Sequence, residues 1–208
     1  MVIDGFGKDH PSQPRWASDE TWDPGCIVAY WADQPDNDDL SMFELAHKSF
    51  TLFATACWPR CSDAARVVRS SITFDQGGDM LFVYKGTKGL RLPILGPQLG
   101  VSANSVAPKI CVARTMKAYL DRTKHLQHND RVWCCTRPVK SVYTSVCENG
   151  DTLRHWMRRI MTRCGVDPKF TGGSIRQAAS SKAIDEGWEV AAVLKMGMRK
   201  SFATWNRF

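Results

Sequence analysis

The interpretation of the sequence depends on one stretch, Thr171-Gly-Gly-Ser-Ile-Arg-Gln-Ala-Ala-Ser-Ser-Lys-Ala183. Its small residues, with Gly187 after them, predict a helix over 174–186. Arg176 then lies in the first helical turn, where the guanidinium adds bidentate donors to the positive end of the helix dipole. That combination suits a phosphate group. Taken alone, an Arg in this position is more often a surface residue or one half of an ion pair.

Two other basic residues stand in contexts that suit the same chemistry. Arg60 follows an apolar helical segment and precedes Ser62-Asp63, a polar pair that begins a helix. Lys88 lies in the Gly-rich turn 85–89 between two predicted strands, from which a long side chain reaches outward. Arg60 and Arg176, both near helix starts, are therefore candidate phosphate-binding residues, and Lys88 is a third basic residue that stands out by its context.

The segments around these residues predict a mostly helical α+β domain with one small three-stranded antiparallel sheet. Ser41-Met-Phe-Glu44 is a capping box, and apolar residues then recur at helical spacing as far as Cys57. Short β-type runs at 71–74, 80–84 and 90–95 are separated by Gly-rich turns and predict a meander, with a loop over 96–107. Further helices are predicted at 25–31, 108–122, 152–164, 174–186, 188–196 and from 201 onward.

Length and composition indicate one folded domain with a flexible arm. The chain has 208 residues, 43% of them hydrophobic and 10% aromatic, which excludes a wholly disordered protein. Residues 1–20 are polar and contain Pro, so we expect an arm there and the domain at 21–208. No apolar run is long enough for a membrane helix, and residues 1–16 do not resemble a signal peptide, which predicts an intracellular protein without a membrane partner.

Charge is unevenly distributed along the chain. Residues 1–45 hold ten acids and two bases, which leaves 26 of the 28 bases and 11 of the 21 acids for residues 46–208, a net charge of +15. Such a basic domain attracts polyanions, and nucleic acid more readily than an acidic membrane. The acidic segment either covers the basic face as a DNA mimic or serves as a solvated linker, and the linker is the favoured interpretation.

The eight cysteines do not predict a metal site. No Cys-x-x-Cys pair occurs, and Cys57 and Cys61 fall in a segment that is predicted to be buried. We therefore expect buried free thiols there rather than zinc ligands, and no metal or other cofactor.

Taken in order, these motifs resemble the catalytic domain of the tyrosine recombinase (phage integrase) family. The resemblance is greatest to the eukaryotic recombinases of DIRS-type and crypton mobile elements, and it covers residues 20–208. Arg60-Cys-Ser-Asp63 looks like the first family motif, Thr87-Lys88-Gly89 the second, and Ser174-Ile-Arg176 the third. Lys85 is an alternative to Lys88 for the second motif.

The resemblance implies DNA strand cleavage through a 3′-phosphotyrosine. In this family a Tyr hydroxyl attacks the phosphodiester, two Arg residues neutralise its oxygens, and a Lys protonates the leaving 5′-oxygen. By this likeness Arg60 and Arg176 hold the phosphate, Lys88 is the general acid, and Asp63 is a supporting carboxylate.

The sequence also departs from the family pattern. Gly173 stands where the family has a His, and Arg199 aligns near a later position that the family fills with His or Trp. The closing segment, Thr204–Phe208, resembles the approach to the nucleophile, so Tyr is expected as the next residue. The four Tyr residues of the chain lie in other segments: Tyr30, Tyr84, Tyr119 and Tyr143.

Three functions remain open at this point. The chain is a recombinase catalytic domain that acts in DNA recombination, integration or transposition, a domesticated non-catalytic DNA-binding module, or a basic protein-interaction domain. The first two predict double-stranded DNA as a partner, self-association on DNA, and a nuclear location in a eukaryote. The candidate DNA-binding residues are Lys85, Arg154, Arg158, Arg159, Arg163 and Lys182.

Overall fold

A helix that is buried on all sides organises the domain. In the computed structural model, which describes residues 21–86, 95–96, 98–126, 129–134, 138–139, 142–143 and 148–196, this helix is α2 (Met42–Cys57). Its N-terminus has the predicted capping box: Ser41 Oγ accepts from the Glu44 amide, and Glu44 Oε2 accepts from the Ser41 amide. A helix that presents no face to solvent is stable only when other elements surround it.

Six more helices are found in the described residues, and four of them pack around α2. Those four are α1 (Gly25–Asp33), α4 (Val112–Arg122), α5 (Gly150–Arg163) and α6 (Ile175–Asp185). The short α3 (Cys61–Ala64) packs on α5, and α7 (Val190–Met196) packs on α6. The predicted helix from 201, like the predicted arm at 1–20, lies outside the described residues.

A three-stranded antiparallel sheet lies beside the helices, as predicted, but its third strand is not the predicted one. The strands are β1 (Thr73–Phe74), β2 (Met80–Phe82) and β3 (Leu99–Val101), in that order. The prediction of a loop over 96–107 was wrong. Within the predicted strand at 90–95, the structure describes only Leu95, which forms an isolated bridge with Lys85.

β3 contains a glycine, Gly100, and a glycine weakens the sequence signal of a strand. In the structure, a Cβ on Gly100 would lie 3.0 Å from Leu81 Cδ2, so the missing side chain makes room for Leu81 on the paired strand. A second, two-stranded ladder joins β4 (Pro138–Val139) and β5 (Val142–Tyr143).

The start of α5 also differs from the prediction. Thr152 was expected to cap this helix, but the N-cap residue is Asn149, whose Oδ1 accepts from the amides of Asp151 and Thr152. Both residue types favour the N-cap position, and Asn is the stronger of the two. Gly165 follows the helix with a φ of +74°, as the predicted glycine stop requires.

Aromatic rings join α2 to the sheet and form the centre of the core. Phe53 of α2 lies 5.1 Å from Phe82 and 5.3 Å from Trp133, measured between ring centroids, and 6.5 Å from Tyr84. These rings are buried and meet at steep angles, the arrangement that aromatic pairs favour. No helix among the described residues has both the length and the apolar character required to cross a membrane.

Lys48 of α2 is a charged residue inside this core. Its side chain is buried, and its Nζ has no hydrogen-bond partner among the described residues. Burial lowers its pKa from 10.5 to about 8; of the nearby charges, Asp36 raises the pKa, whereas Arg114 and Lys109 lower it. The folded protein therefore holds this proton less tightly than the unfolded chain does.

We expect this lysine to make stability depend on pH in the alkaline range. Between about pH 8 and 10.5 the unfolded chain binds more protons than the folded one, so the free energy of unfolding rises with pH, by at most about 1.4 kcal/mol per pH unit. Below pH 8 Lys48 is protonated in both states and contributes no slope. Denaturant melts of wild type and Lys48→Met across this range measure the difference. The matched control is Lys117→Met, at an exposed position of α4, and parallel profiles for wild type and Lys48→Met would contradict the assignment.

Candidate active site

A sharp turn after α2 presents Arg60. Trp58, the C-cap residue of α2, has a φ of 52°, and this left-handed conformation redirects the chain. Arg60 follows with extended backbone as the N-cap residue of α3. Its Nη1 lies 3.4 Å from Asp63 Oδ2, and the exposed fractions of the two side chains are 40% and 1%. The buried carboxylate therefore holds the guanidinium from the protein side and leaves part of it open to solvent.

The helix that carries Arg176 meets this same turn. Ser174 is the N-cap residue of α6, and Arg176 lies in the first turn, as predicted. Arg176 Nη1 donates to the Trp58 carbonyl oxygen at 3.0 Å. Because Trp58 is two residues before Arg60, this bond brings the Arg176 side chain to the turn that presents Arg60, although 116 positions separate the two in the sequence.

The loop before α6 is held against α3 and α5 by glycines. A Cβ on Gly172 would lie 2.2 Å from the carbonyl oxygen of Arg154, and the Gly172 carbonyl faces Cys61 Sγ at 3.9 Å. A Cβ on Gly150 would lie 2.8 Å from the Cα of Ser62. The two glycines thus allow three backbones to approach one another beneath the site. This role of Gly150 and Gly172 was not among the predictions from the sequence.

We expect the two neighbouring glycines of this loop to respond differently to substitution. Gly172→Ala forces a methyl group into the Arg154 carbonyl and is expected to lower the free energy of unfolding by about 3 kcal/mol. Gly173→Ala meets only Thr171 Oγ1 at 3.7 Å and is expected to change it by less than about 1 kcal/mol. Denaturant melts of both variants measure the difference, and equal losses would contradict this packing.

Gly173, which the resemblance aligns with a His of the family, is exposed and sterically open. Its φ lies outside the left-handed region, and among the described residues only the Thr171 hydroxyl, at 3.7 Å, is near the position of a Cβ. Neither conformation nor packing therefore requires a glycine there. The site lacks an imidazole at this position although there is room for a side chain.

Tyr84 lies behind the site, two residues after β2, and forms an isolated bridge with Val67. Its side chain is fully buried, and its hydroxyl has no hydrogen-bond partner among the described residues. Burial holds the pKa of this hydroxyl well above its ordinary value; the charge of Asp63 raises it further, and that of Arg176 lowers it. A neutral, enclosed phenol is unsuited to attack DNA.

Two other Tyr side chains are described, and neither approaches the Arg60 turn. The hydroxyl of Tyr119 is buried and accepts from the Cys134 amide at 3.1 Å. The hydroxyl of Tyr30 accepts from Arg163 Nη1 at 2.9 Å, at the far end of α5. Neither is placed to act as a nucleophile.

Of the two candidates for the general acid, the structure describes only Lys85. Lys88 lies outside the described residues, and so does Arg199, the residue near the later His or Trp position of the family pattern. Lys85 is exposed, and its backbone amide donates to the Arg66 carbonyl at 2.9 Å. Arg66 in turn donates to the carbonyl oxygen of Gly86. The segment directly after β2, at Lys85 and Gly86, is thus fixed to Arg66 in the segment that follows α3.

The remaining candidate DNA-binding residues all have partners within the protein. These partners were not predicted from the sequence. On α5, Arg154 pairs with Asp151, and Arg158 donates to the carbonyl oxygens of Pro168 and Phe170. Arg159 lies over the ring of Phe43, and Arg163 donates to the hydroxyl of Tyr30. Lys182 of α6 pairs with Asp23 at 2.6 Å. The Arg154–Asp151 pair lies within α5, and the other contacts anchor α5 and α6 to the rest of the domain.

The cysteines beside the site are free and buried, as predicted. Burial raises the pKa of Cys57 far above its ordinary value and that of Cys61 to about 11, so both thiols are protonated at neutral pH. Among the described residues, no group of three His, Cys, Asp or Glu side chains is placed to hold a metal ion.

Comparison with solved structures identifies the fold. The chain is similar to the XerH site-specific recombinase bound to its difH substrate, with a TM-score of 0.66 and 11% identity over 88% of this chain and 47% of that one. It is also similar to the XerA recombinase, with a TM-score of 0.61 and 11% identity over 88% and 56% of the two chains. A lambda integrase fragment, solved as a dimer on a COC′ core site, gives a TM-score of 0.50 and 12% identity over 88% and 58%.

These similarities establish the fold of the tyrosine recombinase catalytic domain, which is the predicted fold class. The chain spans about half the length of the recombinases that it matches. No protein-family model and no curated protein sequence matches it.

Proposed function

We propose that this chain is the catalytic domain of a recombinase that cleaves and rejoins DNA through a 3′-phosphotyrosine. The observation that carries the proposal is the bond from Arg176 Nη1 to the Trp58 carbonyl, which brings the Arg176 side chain to the turn that presents Arg60. The fold supports the proposal, because the solved structures that share it are site-specific recombinases and an integrase.

In the proposed reaction, Arg60 and Arg176 bind the non-bridging oxygens of the scissile phosphate. Their charge stabilises the transition state as negative charge accumulates on these oxygens. A Tyr oxygen attacks phosphorus, its proton passes to water, and the bond between phosphorus and the 5′-oxygen breaks. Lys88, or Lys85 in its place, donates a proton to that leaving oxygen. Asp63 keeps Arg60 in position through their 3.4 Å contact.

Double-stranded DNA is the proposed partner, and the proposal includes self-association on it. The net charge of +15 on residues 46–208 supports an electrostatic attraction to DNA. The similar XerH structure contains its DNA substrate, and the lambda integrase fragment is a dimer on its core site. An origin in a DIRS-type or crypton-type mobile element, with a nuclear location, is the finer form of this proposal.

Salt dependence tests the DNA-binding part of the proposal. Release of counterions from six to ten phosphate contacts is expected to lower the affinity for duplex DNA by about 10³–10⁵ between about 50 and 200 mM salt. Lys85→Ala is expected to reduce the slope of log K against log salt by about 0.9, since one contact is lost. Lys117→Ala is the matched control, because Asp121 already pairs with this lysine. Fluorescence anisotropy measures both, and an affinity that salt does not change would contradict DNA binding.

A second candidate function is a non-catalytic DNA-binding module. Gly173 favours it, because an open site without the imidazole of the family pattern retains phosphate binding but lacks a base. The two functions make the same prediction for salt dependence. They differ in whether a covalent protein–DNA intermediate forms, and trapping on a nicked duplex distinguishes the two functions.

A further inference from the structure

We propose that Trp22 is a positioning residue for Arg176. Together with its neighbour Asp23, it holds helix α6 in the place from which Arg176 binds the scissile phosphate. Trp22 and Asp23 form the short segment directly before α1, far from α6 in the sequence. The inference deepens the proposed function and rests on it, because Arg176 has this role only if the domain binds a phosphodiester.

The N-terminus of α6 is held by this distant segment rather than by a side-chain cap of its own. Ser174, the N-cap residue, has helical backbone angles, and its side chain makes no capping bond. Its Oγ instead donates to the Thr171 carbonyl oxygen at 2.7 Å and accepts from Trp22 Nε1 at 2.8 Å. Because Trp22 is buried in the core, the Ser174 hydroxyl is tied to a fixed group 152 positions away.

Asp23 makes a second contact with α6, about two helical turns farther along. Its Oδ1 lies 2.6 Å from Lys182 Nζ and also accepts from the Gly25 amide at 2.8 Å. Their hydrogen bond lowers the pKa of Asp23 and raises that of Lys182, so both groups are charged at neutral pH. A Cβ on Gly25 would lie 3.0 Å from Lys182 Nζ, so the glycine leaves room for this ion pair.

The two contacts restrain α6 against both sliding along its axis and turning about it. Positions 174 and 182 lie about 12 Å apart along the axis and about 80° apart around it. Arg176 follows Ser174 by two residues, and its Nη1 donates to the Trp58 carbonyl at 3.0 Å. The guanidinium therefore keeps its place beside the Arg60 turn only while α6 keeps this position. A displacement of about 1 Å at a reacting centre costs up to about 100-fold in rate.

Hydrogen exchange of the 208-residue protein tests whether Trp22 holds α6. Trp22→Phe keeps an aromatic ring and removes the indole N–H, and we expect amides in the first two turns of α6 to exchange roughly 5-fold faster. The matched control is Trp31→Phe, because Trp31 Nε1 donates to Thr51 Oγ1 at 2.8 Å, between α1 and α2. This control is expected to leave exchange in α6 unchanged. Unchanged exchange in Trp22→Phe, or equal acceleration in both variants, would overturn the proposal.

Rates of adduct formation on a nicked duplex test whether Trp22 acts through Arg176. In a chain extended by Tyr after Phe208, Trp22→Phe and Ser174→Ala are each expected to lower the rate at saturating DNA by roughly 10–100-fold. The affinity for DNA is expected to stay within about 2-fold. Ser174→Thr keeps a hydroxyl and is expected to retain the parent rate. In an Arg176→Ala background, Trp22→Phe is expected to have no further effect, because the group that it positions is already absent.

Three outcomes of the rate measurements would overturn the positioning role. These are an unchanged rate in Trp22→Phe, the same loss with and without Arg176, and a Ser174→Thr chain as slow as Ser174→Ala. Ser174→Ala keeps the test decisive if Trp22→Phe does not fold. An extended parent chain that forms no adduct contradicts the proposed function, and with it the role of Trp22 in the reaction. Exchange of the α6 amides still decides in that case whether Trp22 holds the helix, so the two failures are distinguishable.

Discussion

A chain that continues with Tyr directly after Phe208 is expected to become covalently attached to DNA, whereas the 208-residue chain is expected to form no adduct. The resemblance places the nucleophile at that position, and the described Tyr side chains are buried or far from the Arg60 turn. In the proposed function Arg60 and Arg176 polarise a phosphate, but without a positioned hydroxyl no phosphotyrosine forms. A duplex nicked near the cleavage site traps the adduct, and a denaturing gel displays it as a band of reduced mobility.

Two variants of the extended chain serve as controls. Replacement of the added Tyr by Phe is expected to abolish the band and leave DNA binding intact. Arg176→Lys keeps the charge but loses the bidentate geometry, and it is expected to lower the rate of adduct formation by about 10²–10³. A covalent band from the 208-residue chain would refute this assignment of the nucleophile. No band from the Tyr-bearing chain, with DNA binding retained, would favour the non-catalytic module.

Local signals in the sequence were sufficient for the N-terminus of α2 and for the glycines that follow α5 and α6. The capping box at Ser41 and Glu44 is visible in the sequence because its two hydrogen bonds join residues three positions apart. Gly165 and Gly187 were identified as helix ends because their positive φ values are a local requirement. Such features do not depend on the rest of the fold.

One error occurred where a distant element contributes to the structure, and the other where two nearby residues compete for the same role. The third strand pairs with β2, and Gly100 leaves room there for Leu81, which is not adjacent in sequence. The start of α5 is a local choice between Asn149 and Thr152, two residue types that both favour the N-cap position. The pairing of strands cannot be settled by the pattern of a single segment, and the choice of cap was made for the weaker of two local candidates.

The candidate site also combines residues whose positions are visible in the sequence with contacts that only the fold provides. Arg60 and Arg176 were identified from their positions at helix starts and from the resemblance. The bond from Arg176 to the Trp58 carbonyl is not visible in the sequence, because it joins positions 118 residues apart. Gly172 gave a signal that could have been used, since a glycine pair before a helix start often marks a close backbone approach. The burial of Tyr84 behind the site had no comparable signal.

The imidazole that the family pattern contains is expected to be restorable by one substitution. In the Tyr-bearing chain, Gly173→His places a general base where the structure leaves room for a side chain. Because general-base catalysis contributes about 10²–10⁴-fold, we expect adduct formation to accelerate within that range. The acceleration is expected to increase with pH through the pKa of the new His, near 6.5.

Gly173→Ala is the matched control, because it adds the same Cβ without an ionisable group. It is expected to leave both the rate and its pH profile close to those of the Tyr-bearing parent, whereas Gly173→His adds a limb with a midpoint near pH 6.5. Single-turnover rates on the nicked duplex between pH 5 and 8 measure this limb. A rate that rises equally in both variants would assign the effect to the backbone at residue 173. A Gly173→His chain that folds and binds DNA without any acceleration would show that an imidazole at this position does not reach the reacting hydroxyl.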